Sequence, residues 1–249
     1  MQIVDEYSLT ALPLKLLCKG AVIGTATGFF YALNGHRYLV SNWHVFSGRN
    51  TYTGQAIRKD AAVPDALRVV IHLSARISTA QEVDLRLCDD RGVPFWRQHK
   101  DGQDVDVAVL SGLDDLPQTY AAYAVPLKSD ASDMAFKIGM DAYILGFPKG
   151  IASNQVLPIW KRASIASEPD LPHENRPLVL VDTATREGMS GAPVFLRTFG
   201  GYQSTSSNRR MVIGSSTRFI GVYSGRYGGE DEFTAQLEGF GCGKILMRW

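Results

Sequence analysis

The amino-acid sequence reads as an all-β protein. Short runs rich in Val, Ile, Phe and Tyr recur along it, separated by Gly, Pro, Asn and Asp. Helical periodicity is confined to one short segment, and the alternating strand–helix pattern of a parallel α/β sheet is missing.

Strands are expected near 13–18, 22–31, 36–42, 67–73, 82–88, 105–111, 142–147, 155–165, 178–183, 192–197, 210–214 and 217–224. About a dozen strands suffice for two six-stranded antiparallel β-barrels, and closing each sheet on itself removes its exposed edges. A short C-terminal helix is expected over 231–239, where Asp231 and Glu232 complement a helix N-terminus. The stretch Leu113 to Gly139, with Pro117, Pro126 and the pair Asp114-Asp115, reads as a connection between two halves. The expected organisation is a single domain over 1–249: an N-terminal barrel at about 10–115, a connection at about 113–139 and a C-terminal barrel at about 140–249.

Composition narrows the partners. At 249 residues, 45% hydrophobic and 20% charged, the chain has enough apolar material for a sizeable core. A net charge of +1 argues against a nucleic-acid surface, and Arg209, Arg210 and Arg218 read as a solvated loop cluster. Cys18, Cys88 and Cys242 are odd in number and far apart, so neither a disulfide framework nor metal-ligand spacing follows. Cys18 and Cys88 read as small buried hydrophobes. The start, Met1 to Glu6, lacks the basic residues and apolar run of a signal peptide, and no apolar stretch reaches the roughly 18 residues of a membrane helix. The expectation is a cytoplasmic protein with no membrane, nucleic-acid, metal or cofactor partner.

Three segments carry chemistry. Gly188-Met189-Ser190-Gly191-Ala192-Pro193 follows the apolar run Leu178 to Val181 and sets a serine in a tight glycine turn. Such a turn exposes the hydroxyl and frees neighbouring backbone N–H groups, as a nucleophile with a tetrahedral intermediate requires. His44 ends the apolar segment Leu39-Val40-Ser41-Asn42-Trp43, and Asp106 opens Asp106-Val107-Ala108-Val109-Leu110. A hydroxyl is a poor nucleophile until an imidazole takes its proton, and a carboxylate orients that imidazole. Asp104 is a rival for the carboxylate, since strand alternation puts it on the same face as Asp106.

Chain order excludes other hydrolase folds. An α/β-hydrolase needs its histidine after the serine, and His36, His44, His72, His99 and His173 all precede Ser190. Ala192 also stands where that fold's elbow has a second glycine. A subtilisin order needs an aspartate before the histidine, and only Asp5 precedes His44.

The three segments resemble the motifs of the chymotrypsin-fold serine peptidases. Gly24-Thr25-Ala26-Thr27-Gly28-Phe29 is similar to that family's glycine-rich strand before the histidine. Tyr143-Ile144-Leu145-Gly146-Phe147-Pro148 and Asp182-Thr183-Ala184 are closest in style to the bacterial HtrA-like branch. The resemblance spans about residues 20–225. It implies a serine endopeptidase acting on proteins or peptides, with His44, Asp106 and Ser190 as triad and the Gly188 and Ser190 N–H groups as oxyanion hole. It also implies a substrate pocket from Ala184, Thr185, Ser224, Gly225 and Arg226. Two departures separate the chain from digestive trypsins. Met189 replaces the aspartate that pairs with a freshly cut N-terminus, and Ala184 stands where a pocket-base carboxylate selects Lys or Arg. Alternative readings are a catalytically silent binding module of the same fold, or an unrelated β-sandwich adhesion module.

Overall fold

A computed structural model describes residues 4–72, 80–114, 116, 123–154, 156–206, 210–226 and 237–242. Its strands are β1 (Ala11–Cys18), β2 (Ala21–Leu33), β3 (His36–Ser41), β4 (Ala66–His72), β5 (Ala80–Arg86), β6 (Trp96–Gln98) and β7 (Ala108–Leu110) in the first half. The second half holds β8 (Asp141–Gly146), β9 (Ile159–Ile165), β10 (Leu178–Asp182), β11 (Pro193–Thr198), β12 (Gly201–Gln203), β13 (Met211–Ile213), β14 (Ser216–Arg226) and β15 (Leu237–Cys242). A single turn of α-helix, α1 (Trp43–Ser47), follows β3. The protein is mostly β, as its alternating apolar runs require.

The second half is a closed six-stranded barrel in the order β10-β15-β14-β11-β8-β9. The first half departs from expectation. It is a seven-stranded antiparallel sheet, β5-β4-β1-β2-β3-β7-β6, whose end strands meet only just outside their own ranges, where the Phe95 N–H donates to the Leu87 carbonyl at 2.9 Å and Cys88 bridges Pro94. The end strand β5 also carries charge along its length. Glu82, Asp84 and Arg86 are exposed along it, and Asp84 pairs with Arg68 of β4 at 2.7 Å.

Other differences have physical causes. The strand expected over 105–111 begins only at Ala108, because a tight turn at Asp106 interrupts it. The segment 210–214 forms β13, which pairs with β12 as a separate hairpin outside the barrel. Of the helix expected over 231–239, residues 231–236 lie outside the described residues. Residues 237–239 are strand, since β15 is paired on both sides by β10 and β14 and closes the barrel. Arg218 lies in β14, not in a loop, and donates to the Met134 carbonyl. Arg210 is exposed, and Arg209 lies outside the described residues. Cys18 and Cys88 are half-buried free thiols rather than core residues, one at the β1 turn and one just beyond edge strand β5. The side chain of Cys242 is likewise outside the described residues.

The two halves share a core. Phe29, Val40, Val107 and Val109 from the first pack with Leu145, Phe147, Phe195 and Val222 from the second. Phe29 and Phe195 both stack against Phe219, at ring-centroid distances of 5.4 and 5.7 Å. Burying each such ring contributes about 2–3 kcal/mol. This joint core fixes the seam on which the candidate site lies.

Candidate active site

His44 is placed by the end of β3. Asn42 leaves the strand with φ −77° and ψ 153°, the backbone of a helix N-cap. Trp43 and Phe46 anchor the turn that follows, at 7% and 1% exposure. Gly48, left-handed at φ 65°, closes it by donating to the His44 carbonyl at 3.0 Å. His44 thus sits in the first turn of α1 rather than at a strand end.

Asp106 is delivered by a different device. Val105 and Val107 are both buried, and the Val107 N–H donates to the Val105 carbonyl at 2.7 Å. That bond closes a three-residue γ-type turn with Asp106 at its centre, which turns the carboxylate out of the core. The β3–β7 register pairs Ser41 with Ala108, so Asp106 falls beside α1.

The carboxylate engages His44 through both oxygens. Oδ1 accepts the His44 backbone N–H at 2.9 Å, and Oδ2 lies 2.7 Å from Nδ1. The Asn42 amide donates to the Asp106 carbonyl at 2.7 Å. With 20% and 12% of their side chains exposed, His44 and Asp106 form a largely desolvated pair. A carboxylate only accepts, so the proton sits on Nδ1 and the neutral ring presents Nε2 as an acceptor. Burial pushes His44 toward its neutral form. The charge of Asp106 and its hydrogen bond more than offset this, holding the ring above its ordinary 6.5. Asp104 is elsewhere: it is solvent-exposed and pairs with Arg176 at 3.2 Å.

Ser190 occupies the turn between β10 and β11. Met189 is fully buried in the second barrel, packed with Ile144, Val194 and Tyr223. Gly188 and Gly191 flank the serine at φ 93° and 83°. A Cβ on Gly188 would overlap the Phe147 carbonyl oxygen, and one on Gly191 would overlap Ser41 Oγ and the Thr27 carbonyl oxygen. Only glycine fits either position.

Those contacts seat the serine turn on β2 and β3, three residues before His44. The His44–Asp106 pair is hydrogen-bonded. Among the described residues the Ser190 hydroxyl makes no hydrogen bond, to His44 or to any other group.

The backbone around Ser190 is held from behind. The Glu187 carbonyl accepts the Lys149 N–H at 2.6 Å, and the Met189 carbonyl accepts the Ala192 N–H at 3.0 Å. In a trans peptide the N–H points opposite to the C=O. The Gly188 and Ser190 N–H groups therefore face away from their anchored carbonyls. Among the described residues neither has a partner. Lys149 was not singled out by sequence; it adopts a left-handed φ of 53°, and only its setting in Pro148-Lys149-Gly150 hints at a turn.

A cleft of about 440 Å³ opens beside Ser190, lined by Thr185, Tyr223 and Gly225 with the exposed Lys149, Arg186 and Glu187. Thr185 Oγ1 and the Tyr223 hydroxyl lie 2.5 Å apart and are both buried. Ala184 is exposed and is not part of this lining, because alternation along 181–185 turns Thr185 inward. Ser224 is half-buried and outside the lining; the side chain of Arg226 lies outside the described residues. Among the described residues no three His, Cys, Asp or Glu side chains cluster as metal ligands. No helix there is long and apolar enough to cross a membrane.

Comparison with known proteins agrees with this architecture. The serine endoprotease of Yersinia pestis superimposes with a TM-score of 0.52 at 11% identity, over 99% of this chain and 66% of its own. This chain thus spans about two thirds of that protein's length. The MamO protease domain of Magnetospirillum magneticum gives a TM-score of 0.53 at 13% identity, covering 98% of this chain and 96% of that one. At such identities the likeness is one of fold. No curated protein matches the sequence. A family model for the trypsin-like peptidase domain matches residues 26–200, well over half of the sequence, and the chain belongs to that family.

Proposed function

We propose that the protein is a serine endopeptidase that cleaves protein or peptide substrates through His44, Asp106 and Ser190, the chain 1–249 working as one peptidase domain. Ser190 Oγ attacks the substrate carbonyl carbon while His44 Nε2 takes the hydroxyl proton. The scissile C–N bond then breaks, and the leaving amine takes that proton from His44. Water, deprotonated by the same ring, hydrolyses the acyl-enzyme and returns the proton to Ser190. Asp106 orients the ring and stabilises its charged form. The Gly188 and Ser190 N–H groups stabilise the oxyanion, and Thr185, Tyr223 and Gly225 bound the side-chain pocket.

The observation that carries this reading is the two-point attachment of His44 to Asp106 on the seam where the serine turn is seated. Met189, buried and uncharged, offers no carboxylate to a new N-terminus, so activation by an inserted chain end has no anchor at this residue. The test is hydrolysis of a mixed peptide library by wild type and by Ser190→Ala, His44→Ala and Asp106→Ala. The reading requires cleavage by wild type and its loss in Ser190→Ala and His44→Ala. A folded wild type that binds peptides but cleaves none would establish the silent binding module instead.

A further inference from the structure

Thr27 stands outside the triad, the oxyanion hole and the pocket, yet its polar groups converge on the serine turn. It lies on β2 and is completely buried. Its hydroxyl donates to the Gly188 carbonyl at 2.7 Å and accepts the Phe147 N–H at 3.1 Å. Its own N–H donates to the Ser190 carbonyl at 2.9 Å, and its carbonyl accepts the Ser41 hydroxyl at 2.8 Å.

The position is created by the strand register. β2 and β3 pair at Phe29 and Val40, which would place Thr27 opposite Asn42. There the chain has already left β3 for α1, so the edge of β2 is open at Thr27. The serine turn of the second barrel takes the vacated place. Thr27 therefore joins the end of β3, the end of β8 and the serine turn through one side chain and the two peptide groups that flank it.

We infer that Thr27 is a positioning residue that sets the oxyanion hole, an inference that rests on Ser190 being the nucleophile. Its hydroxyl fixes the Gly188–Met189 peptide, which lies between the two peptides whose N–H groups form the hole. Its N–H fixes the Ser190 carbonyl on the far side. With both contacts made, the Gly188 and Ser190 N–H groups are held in place before substrate arrives. Removing the hydroxyl leaves the buried Gly188 carbonyl and Phe147 amide without this partner, and the turn relaxes to find others. Loss of alignment affects the transition state more than substrate binding.

The test compares wild type, Thr27→Val and Thr27→Ser, with rates normalised to the folded fraction and labelling by a fluorophosphonate measured alongside peptide hydrolysis. In folded Thr27→Val, kcat and the labelling rate fall by about tenfold or more while KM stays within about twofold. Thr27→Ser keeps the hydroxyl and restores kcat to within about threefold of wild type. If Thr27→Val does not fold, Thr27→Cys, unbranched like serine but with only a weak donor, carries the same expectation. Folded Thr27→Val or Thr27→Cys with an unchanged kcat makes Thr27 structural only and overturns the proposal. A folded wild type that neither labels nor hydrolyses overturns the peptidase reading itself, and this proposal with it.

Discussion

Asp106 binds His44 twice, once through the backbone N–H at 2.9 Å and once at ring Nδ1 at 2.7 Å. One carboxylate thus caps the helix turn that carries the imidazole and also aims the imidazole. A five-residue helix has too few internal bonds to hold itself. Its N-cap residue Asn42 makes no side-chain capping bond, and Asp106 supplies the acceptor instead. Position and protonation of His44 therefore depend on the same residue.

Asp106→Asn lowers kcat by about ten-thousandfold, since an amide can present its N–H to Nδ1 and favour the wrong tautomer. Steady-state hydrolysis with a fixed peptide measures this.

The pH profile follows from the raised His44 value. The base works when neutral, so kcat/KM falls on the acid side through a midpoint above 6.5. In Asp106→Asn the midpoint moves down, because burial is then the main remaining influence. The stability sign is opposite: the pair's contribution is full below about 6.5 and is lost as pH rises through the raised folded value.

Gly188→Ala places a methyl group on the Phe147 carbonyl in a left-handed backbone. The turn must shift, and kcat falls about hundredfold or more as one oxyanion donor is displaced. Circular dichroism and Tm establish that the barrel remains folded.

Met189→Asp puts a carboxylate into a fully buried apolar site. The cost is about 3 kcal/mol or more, and Tm falls by roughly 10 °C. Thermal unfolding at pH 7 checks the value.

His72 is 4% exposed, and among the described residues neither ring nitrogen has a hydrogen-bond partner. Burial keeps it neutral by lowering its value below 6.5. Its share of stability is complete above about 6.5 and is lost as pH falls from there toward the lowered folded value. His72→Leu stabilises by about 1 kcal/mol and raises Tm by roughly 2–4 °C, with a larger gain at pH 5 than at pH 8. A Tm series across that range tests it.

Much of the architecture was legible from alternation: most strands of both halves fall within a few residues of their expected positions. His44, Asp106 and Ser190 were legible as residue types in order, each in its own local motif. What escaped was set by distant contacts. α1 is one turn, too short to show a period, and the turn at Asp106 is hidden inside an apolar run that reads as strand. β15 is strand because β10 and β14 pair with it, despite an acidic stretch before it that suits a helix start. Thr27 was legible only as one residue of the glycine-rich segment 24–29; its bonds reach Gly188 across 161 residues and Phe147 across 120, which no local pattern shows. Of the pocket residues that the resemblance implies, Thr185 and Gly225 line the cleft, whereas Ala184 does not, because strand alternation turns its neighbour Thr185 inward.

Treatment of the folded protein with a fluorophosphonate probe, followed by mass spectrometry of the intact chain and its peptides, decides whether Ser190 is an activated nucleophile. One adduct on wild type, mapped to Ser190 and absent from folded Ser190→Ala, is the predicted result. A folded wild type that gains no adduct, or gains one at another residue, contradicts the triad.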